Sequence, residues 1–328
     1  MQLKIDFETN SIKEMVDISI QRIQQFEPPE GYYVAFSGGK DSIILLILMI
    51  TSDVKFHLYH ALTGIDPPII KKIVDQLVKQ DLCTIVKPGT TMWKLIPEKK
   101  MPPSRIVRYC CEELKEAGGK GRFVTTGVRH AESSKRSKRT LVEYDSYGSQ
   151  SKKAKKERRK FNLMNDNDNK RRMIEHCQIK GKNILNPIID WSDNDVWEFI
   201  HKNKSLLEAL GIEYPYLYDH GWDRIGCLGC PLAKSSTRIK EFLEFPVYYI
   251  NYLKSFDRMI EVRLDNDMDT EWENGEQVMQ WWLEIKNKKE FTEVDRMIKQ
   301  KYLEQKEKAY GNNNKIMDHV IKNCNRKI

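Results

Sequence analysis

YYVAFSGGKDSIILL, residues 32–46, decides the fold. Tyr32, Tyr33 and Val34 lead through Ala35 and Phe36 into Ser37-Gly38-Gly39-Lys40-Asp41-Ser42, and an apolar run begins at once with Ile43. The pattern predicts a strand, a glycine turn and a helix. Such a turn makes an anion site. Its glycines let the backbone close on a ligand, the first amides of the helix point outward, and the hydroxyls of Ser37 and Ser42 add donors. Asp41 is placed to hold a magnesium ion that neutralises phosphates. The G-x-x-x-x-G-K spacing of a Walker loop is absent, and so is G-x-G-x-x-G. The competing reading is a tight turn that holds nothing.

Outward from this stretch, residues 31–130 alternate short apolar runs with helical patterns: KFHLYHAL before PPIIKKIVDQLVKQ, CTIVKP before CCEELKEA, then RFVTTGVR. Alternation of this kind implies right-handed βαβ units and a parallel sheet, whose ligands bind beyond the carboxyl ends of the strands. Arg129 follows the last of these strands, where an arginine suits bidentate capture of phosphate or sulfate. Between residues 133 and 172 the periodicity fails. SKRSKRT and GSQSKKAKKERRKFNLMNDNDNKRRM read as a basic, flexible insertion or lid at about 135–172. NPIIDWSDNDVWEFI restores order, with Ser192 or Asp193 as the cap of a helix carrying Val196, Trp197, Phe199 and Ile200. The expected domains are an N-terminal helix in 1–30, a nucleotide-binding domain in 31–232 and a helical region in 233–328.

The chain has 328 residues, 40% of them hydrophobic, enough for a substantial core. A net charge of +8 favours an anionic partner, although much of the excess sits in the insertion. The N-terminus lacks the basic end and apolar middle of a signal peptide. The longest apolar run, residues 43–50, falls far short of the roughly 20 residues that cross a bilayer. These features lead to the expectation of a soluble, cytoplasmic protein without a membrane partner. Seven cysteines in such a protein read as metal ligands or reactive thiols rather than disulfides.

Several motifs in order resemble the phosphoadenosine phosphosulfate (PAPS) reductase family of the PP-loop ATP pyrophosphatase superfamily. They are FSGGKDS, TGIDPP at 63–68, RYCCEELK at 108–115, TTGVRHAESSKR at 125–136 and NPIIDWSDNDVWEFI at 186–200. The resemblance implies an α/β fold, an adenine nucleotide alpha hydrolase-like (PP-loop) parallel sheet flanked by helices, with a helical C-terminal appendage. It implies an adenine nucleotide, ATP or PAPS/APS, with its phosphates on Ser37, Gly38, Gly39, Lys40, Asp41 and Ser42. Asp66, Arg129 and Arg136 would complete that site, and Asp41 and Arg129 would act in catalysis with Mg2+ bound to ATP. Lys135, Lys138 and Arg139 read as a solvated face.

Cys227 and Cys230 form GCLGCP, a C-x-x-C turn that alone fits zinc, an iron–sulfur cluster or a redox dithiol. In family members that reduce adenosine phosphosulfate, a Cys-Cys pair and a C-x-x-C hold a 4Fe-4S cluster. In DndC-like sulfurtransferases and tRNA thio-modification enzymes, the position corresponding to Cys110 serves. The resemblance therefore implies Cys110, Cys227 and Cys230 as ligands, with Cys177 or Cys111 as the fourth and zinc as the alternative metal. The thiol left over would carry sulfur, and Cys111 is the candidate catalytic one. Buried filler is the competing reading for Cys110 and Cys111 and the favoured one for Cys83.

Two reactions share this machinery. One is reduction of an adenylylated sulfate. The other is adenylation of an acceptor by ATP, followed by displacement of AMP by sulfur. The family's reductases carry their nucleophile in an ECGLH tail. The late cysteine here, Cys324 in KNCNRKI, lacks that context, so the sulfurtransferase is favoured. Nucleic acid is the expected acceptor from the basic insertion and the aromatic helices near Trp281 and Trp282, and a sulfur-donor or reductant protein is the expected partner. A simpler role for those tryptophans is a helical core. The third reading is a catalytically silent nucleotide- or nucleic-acid-binding protein.

Overall fold

The computed structural model describes residues 10–115, 118–134, 136–144 and 182–310. Most of the insertion expected at about 135–172, together with Cys177 and Cys324, lies outside the described residues. The chain divides into two compact units, Met1–Gly89 with Cys111–Gly226 and Thr90–Cys110 with Cys227–Ile328.

The first unit is built on a six-stranded sheet in the order β3-β2-β1-β4-β6-β5. β1 (Tyr32–Ala35) pairs in parallel with β2 (Phe56–Ala61) on one side and β4 (Phe123–Thr125) on the other. β3 (Cys83–Val86) and β6 (Asn183–Leu185) extend the parallel sheet, and β5 (Val142–Glu143) closes its edge antiparallel to β6. The chain steps outward from β1 to β3 and then returns to β4 on the other flank of β1. The strand order therefore reverses between β1 and β4, the place where open parallel sheets bind ligands.

α2 (Lys40–Thr51) follows β1 and is apolar on every side, with residues 43–49 at most 1% exposed. A helix of that composition has to be covered all round. The amphipathic α1 (Asn10–Gln25) and α6 (Asp193–Lys202) pack against it in addition to the sheet. α3 (Pro68–Lys79) begins with a proline, whose fixed φ suits a first helical position, and buries Ile69, Ile70, Ile73, Val74 and Leu77. The start expected for α6 is a capping box: Ser192 Oγ accepts the Asp195 N–H at 3.2 Å, and the Asp195 carboxylate accepts the Ser192 N–H at 2.7 Å. α7 (Lys204–Ala209) follows directly, and α5 (Tyr109–Leu114) precedes β4 in the chain. No helix among the described residues is long and apolar enough to cross a membrane.

A bidentate pair ties α1 to the turn before α6: Arg22 reaches both carboxylate oxygens of Asp190 at 2.7 Å. Burial works to raise the Asp190 carboxyl, but its hydrogen bonds and charge pairing with Arg22 hold it below the usual range. A depressed carboxyl stabilises the fold above its ordinary pKa and loses that contribution as pH falls through the folded value. Asp190 is partly exposed, so we expect Arg22→Met to cost about 1 kcal/mol at pH 7. Most of that difference should vanish near pH 3 in urea titrations of the two proteins.

The second unit is helical. α4 (Met92–Lys99) lies along α9 (Pro246–Asp265), with the Trp93 ring edge-on to Tyr252 at 5.0 Å and the Trp93 carbonyl accepting from Ser255 at 3.0 Å. These contacts place residues 90–110 with the C-terminal helices, whereas the boundaries drawn from sequence leave them in the nucleotide domain. α8 (Ser235–Glu244), α10 (Gly275–Trp282) and α11 (Lys288–Tyr310) complete the unit around Phe242, Tyr252, Phe256 and Trp282. The two tryptophans expected on one helix divide. Trp282 is a core residue whose indole N–H reaches the Pro103 carbonyl at 2.7 Å, and Trp281 is 50% exposed beside Trp272.

Candidate functional site

Ala35 delivers the chain into the 37–42 loop at the strand-order reversal. Gly38 has φ +77°, and a Cβ there would stand 2.8 Å from the Ile70 side chain, so the turn needs glycine on both counts. Gly39 is the N-cap of α2. Ser42 Oγ donates to the Gly39 carbonyl at 2.8 Å and stands 3.2 Å from Ser37 Oγ, which draws both hydroxyls together over the helix start. A Cβ at Gly127 would meet the Asp41 carbonyl at 2.8 Å, so glycine at 127 lets the chain after β4 run close to the loop.

Asp41 and Arg129 meet here. Arg129 Nε donates to Asp41 Oδ1 at 2.7 Å, Nη2 to Asp193 at 2.8 Å and Nη1 to the Trp191 carbonyl at 3.1 Å. The residue is 1% exposed. Each of its three nitrogens thus has a protein partner, and Arg129 reaches the loop through Asp41. Burial raises the Asp41 carboxyl above its usual range despite the opposing charges of Lys40 and Arg129.

The Lys40 side chain has partners outside the loop. Its ammonium donates to the Asp223 carbonyl at 2.8 Å and lies over the rings of Trp197 and Tyr218, at 5.5 and 5.7 Å from their centres. Only its backbone belongs to the loop. Lys40 N–H donates to the hydroxyl of Tyr218 at 2.7 Å. Arg136 sits in a short turn, Arg136–Lys138, and pairs with Glu132.

A cleft of about 310 Å³ opens beside the loop at the carboxyl ends of β1, β2 and β3; Ser37, His60, Asp66, Lys87, Lys115 and Gly226 are among its lining residues. His60 is fixed there by its Nδ1 against the Phe36 carbonyl at 3.0 Å, and Asp66 accepts from Thr63 at 2.5 Å. The size suits a nucleotide-scale ligand. Of the expected phosphate ligands, Ser37 and Asp66 line the cleft, Gly38, Gly39 and Ser42 shape the loop, and Asp41 is anchored at its base.

The cysteines fall in both units. Cys111 belongs to the first, and Cys110, Cys227 and Cys230 belong to the second. The turn between Cys227 and Cys230 is firmly held: Tyr252 donates to the Leu228 carbonyl at 3.1 Å, and the Gly229 N–H donates to the buried carboxylate of Glu241 at 2.7 Å. Burial first, then the charges of Cys227, Cys110 and Cys230, pushes the Tyr252 hydroxyl far above its usual range. The three thiols therefore share one neighbourhood. Among the described residues, however, no group of three or more His, Cys, Asp or Glu side chains gathers closely enough to hold a metal ion. As they stand, the thiols are neighbours without being a closed ligand shell. Cys83 is the expected filler, 4% exposed on β3, with burial pushing its thiol up to about 11.

Sequence reasoning missed His60, Asp193 and Tyr218. Tyr218 stands in YPYLYDHGWDRIGC, an aromatic-rich turn without periodicity, and its place just before GCLGC was the one available signal.

The sheet, its glycine loop and a cleft at the carboxyl ends of its strands define an α/β protein with a nucleotide-sized site. Residues 31–233 match the phosphoadenosine phosphosulfate reductase domain, and the chain belongs to that family. Two uncharacterized proteins of Methanocaldococcus jannaschii are relatives. MJ0973 is 30% identical over 68% of this chain and 47% of its own length, and MJ0066 is 28% identical over 65% and 38%. The chain thus spans less than half the length of these curated relatives. Among solved structures, the PAPS reductase of Candida auris in a phosphate complex aligns with 69% of this chain and 98% of its own, at 14% identity and a TM-score of 0.41. The FMN adenylyltransferase of Candida glabrata, with FMN and an ATP analogue, aligns with 68% of each chain at 11% identity and a TM-score of 0.39. Both structural likenesses are remote.

Proposed function

We propose that the chain is an adenylating enzyme of the PAPS reductase family. It would bind ATP through residues 37–42 and pass sulfur to an acceptor that ATP has activated. The observation that carries this reading is the glycine loop after β1 above the cleft, with Asp41 anchored at its base by Arg129. In the proposed reaction an acceptor oxygen attacks the α-phosphorus of ATP, and pyrophosphate leaves with the electron pair of the broken P–O bond. A sulfur nucleophile then attacks the acceptor atom and expels AMP. The loop's amides and the Ser37 and Ser42 hydroxyls stabilise charge on the departing pyrophosphate. Arg129 keeps Asp41 ionised and oriented, and a magnesium ion on Asp41 would neutralise phosphate charge when bound.

The sulfur half of the proposal rests on the neighbourhood of Cys110, Cys227 and Cys230, which with a fourth thiol would hold a 4Fe-4S cluster. Zinc is the alternative, because four thiolates suit it equally well. The second reading is reduction of PAPS or adenosine phosphosulfate, favoured by the family's matching domain. Nucleic acid as acceptor and a protein sulfur donor belong to the same proposal.

Anaerobically purified protein given ATP with sulfide and a nucleic-acid acceptor, or PAPS with a dithiol, separates these readings. We expect magnesium-dependent pyrophosphate release from ATP. Sulfite formed from PAPS, without pyrophosphate release from ATP, would instead establish the reductase. Quantified iron, sulfide and zinc decide the metal: iron equal to sulfide is expected, and colourless protein with stoichiometric zinc would overturn the cluster.

A further inference from the structure

We propose that Tyr218 is a phosphate-binding residue of the loop, donating its phenolic O–H to a phosphate oxygen of the bound nucleotide. The inference rests on the reading of residues 37–42 as a nucleotide site. It starts from the hydrogen-bonding capacity of a phenol, which has one O–H to donate and lone pairs to accept.

The Tyr218 oxygen accepts the Lys40 N–H at 2.7 Å. That N–H occupies its acceptor side, and its own hydrogen donates to no group among the described residues. The position is that of the loop itself. A Cβ placed on Gly39 would stand 3.5 Å from the Tyr218 oxygen and 3.7 Å from Ser37 Oγ, so the phenol and the serine hydroxyl flank the same glycine. The ring has little freedom to leave. It is 8% exposed, lies edge-on to Trp197 at 5.1 Å and carries the Lys40 ammonium 5.7 Å from its centre. Burial holds the phenol above its usual titration range, so it remains a donor at neutral pH.

This arrangement gives the Lys40 amide, one of the first N–H groups of α2, a relay rather than a direct ligand. The amide polarises the phenol, and the phenol presents a hydrogen to an anion. It also explains the fold of the Lys40 side chain, whose ammonium stacks against the ring that it helps to fix.

The test is calorimetric titration of the wild-type chain and Tyr218→Phe with ATP, with PAPS and with adenosine, in magnesium. Phenylalanine keeps the ring packing and removes the donor. A hydrogen bond to a charged oxygen is worth roughly 1.5–3 kcal/mol, so ATP affinity should fall about 10-fold or more, with adenosine affinity unchanged. Equal or tighter ATP binding by Tyr218→Phe, beside wild-type protein that binds ATP, would overturn the inference alone and mark the phenol as an occupant that ATP displaces. Wild-type protein that binds neither ATP nor PAPS would remove the nucleotide reading and the inference together.

Discussion

Arg129→Met is expected to destabilise the first unit by about 3–5 kcal/mol, the usual penalty for stripping one partner from a buried ion pair. Methionine matches the stem of arginine but leaves the Asp41 carboxylate, the Asp193 carboxylate and the Trp191 carbonyl without their shared donor. Asp41 bears most of the penalty, because Asp193 is largely exposed and solvent can replace its partner. The pH dependence has a definite sign. Burial already raises the Asp41 carboxyl, and removing Arg129 raises it further. The loss is therefore largest at neutral pH, where the carboxylate is charged, and shrinks as acidification protonates it. Asp41→Asn should relieve part of the defect in the double variant, and a double-mutant cycle from urea unfolding measures the coupling. Additive effects would mean that the two side chains do not act as a pair.

The second large effect is expected at Gly229, between the two thiols of the C-x-x-C turn. Its φ of +69° disfavours any side chain, and a Cβ there would lie 2.7 Å from Phe242, 3.0 Å from Trp282 and 3.1 Å from Tyr252. These are ring atoms of a packed cluster with little room to yield. Gly229→Ala combines a left-handed backbone penalty with overpacking, together about 2–4 kcal/mol. The substitution also threatens the amide bond to Glu241, so stability should fall, and with it the content of the metal proposed for this turn. Thermal unfolding, with iron and zinc quantified in the same preparations, checks both. An alanine variant as stable as the wild type would show that the aromatic cluster adapts where close packing says it cannot.

Local pattern made much of this molecule legible. The strand–glycine–helix sequence at 32–46 gave β1, the loop and α2 because each step depends on neighbours in the chain. The Ser192 cap was readable for the same reason, since a capping box spans three residues. What stayed hidden depends on distant partners. Nothing in FSGGKDS shows that Lys40 will turn to Asp223, or that its amide will meet Tyr218 at a separation of 178 residues. Nor does TTGVRHAE show that Arg129 will bond Asp41 and Asp193, 88 and 64 residues away. The grouping of residues 90–110 with the C-terminal helices likewise rests on Trp93 meeting Tyr252, a contact without a periodic signature.

The claim that the 37–42 loop cradles the phosphates of an adenine nucleotide is tested most directly by ATP binding to the wild-type chain and to the double variant Ser37→Ala/Ser42→Ala, followed by phosphorus NMR of the bound nucleotide. Binding should be saturable and magnesium-dependent with shifted β- and γ-phosphate resonances, weakened about 10-fold or more when both hydroxyl donors are removed. ATP binding that is indifferent to both serines, with unshifted phosphates, would contradict it.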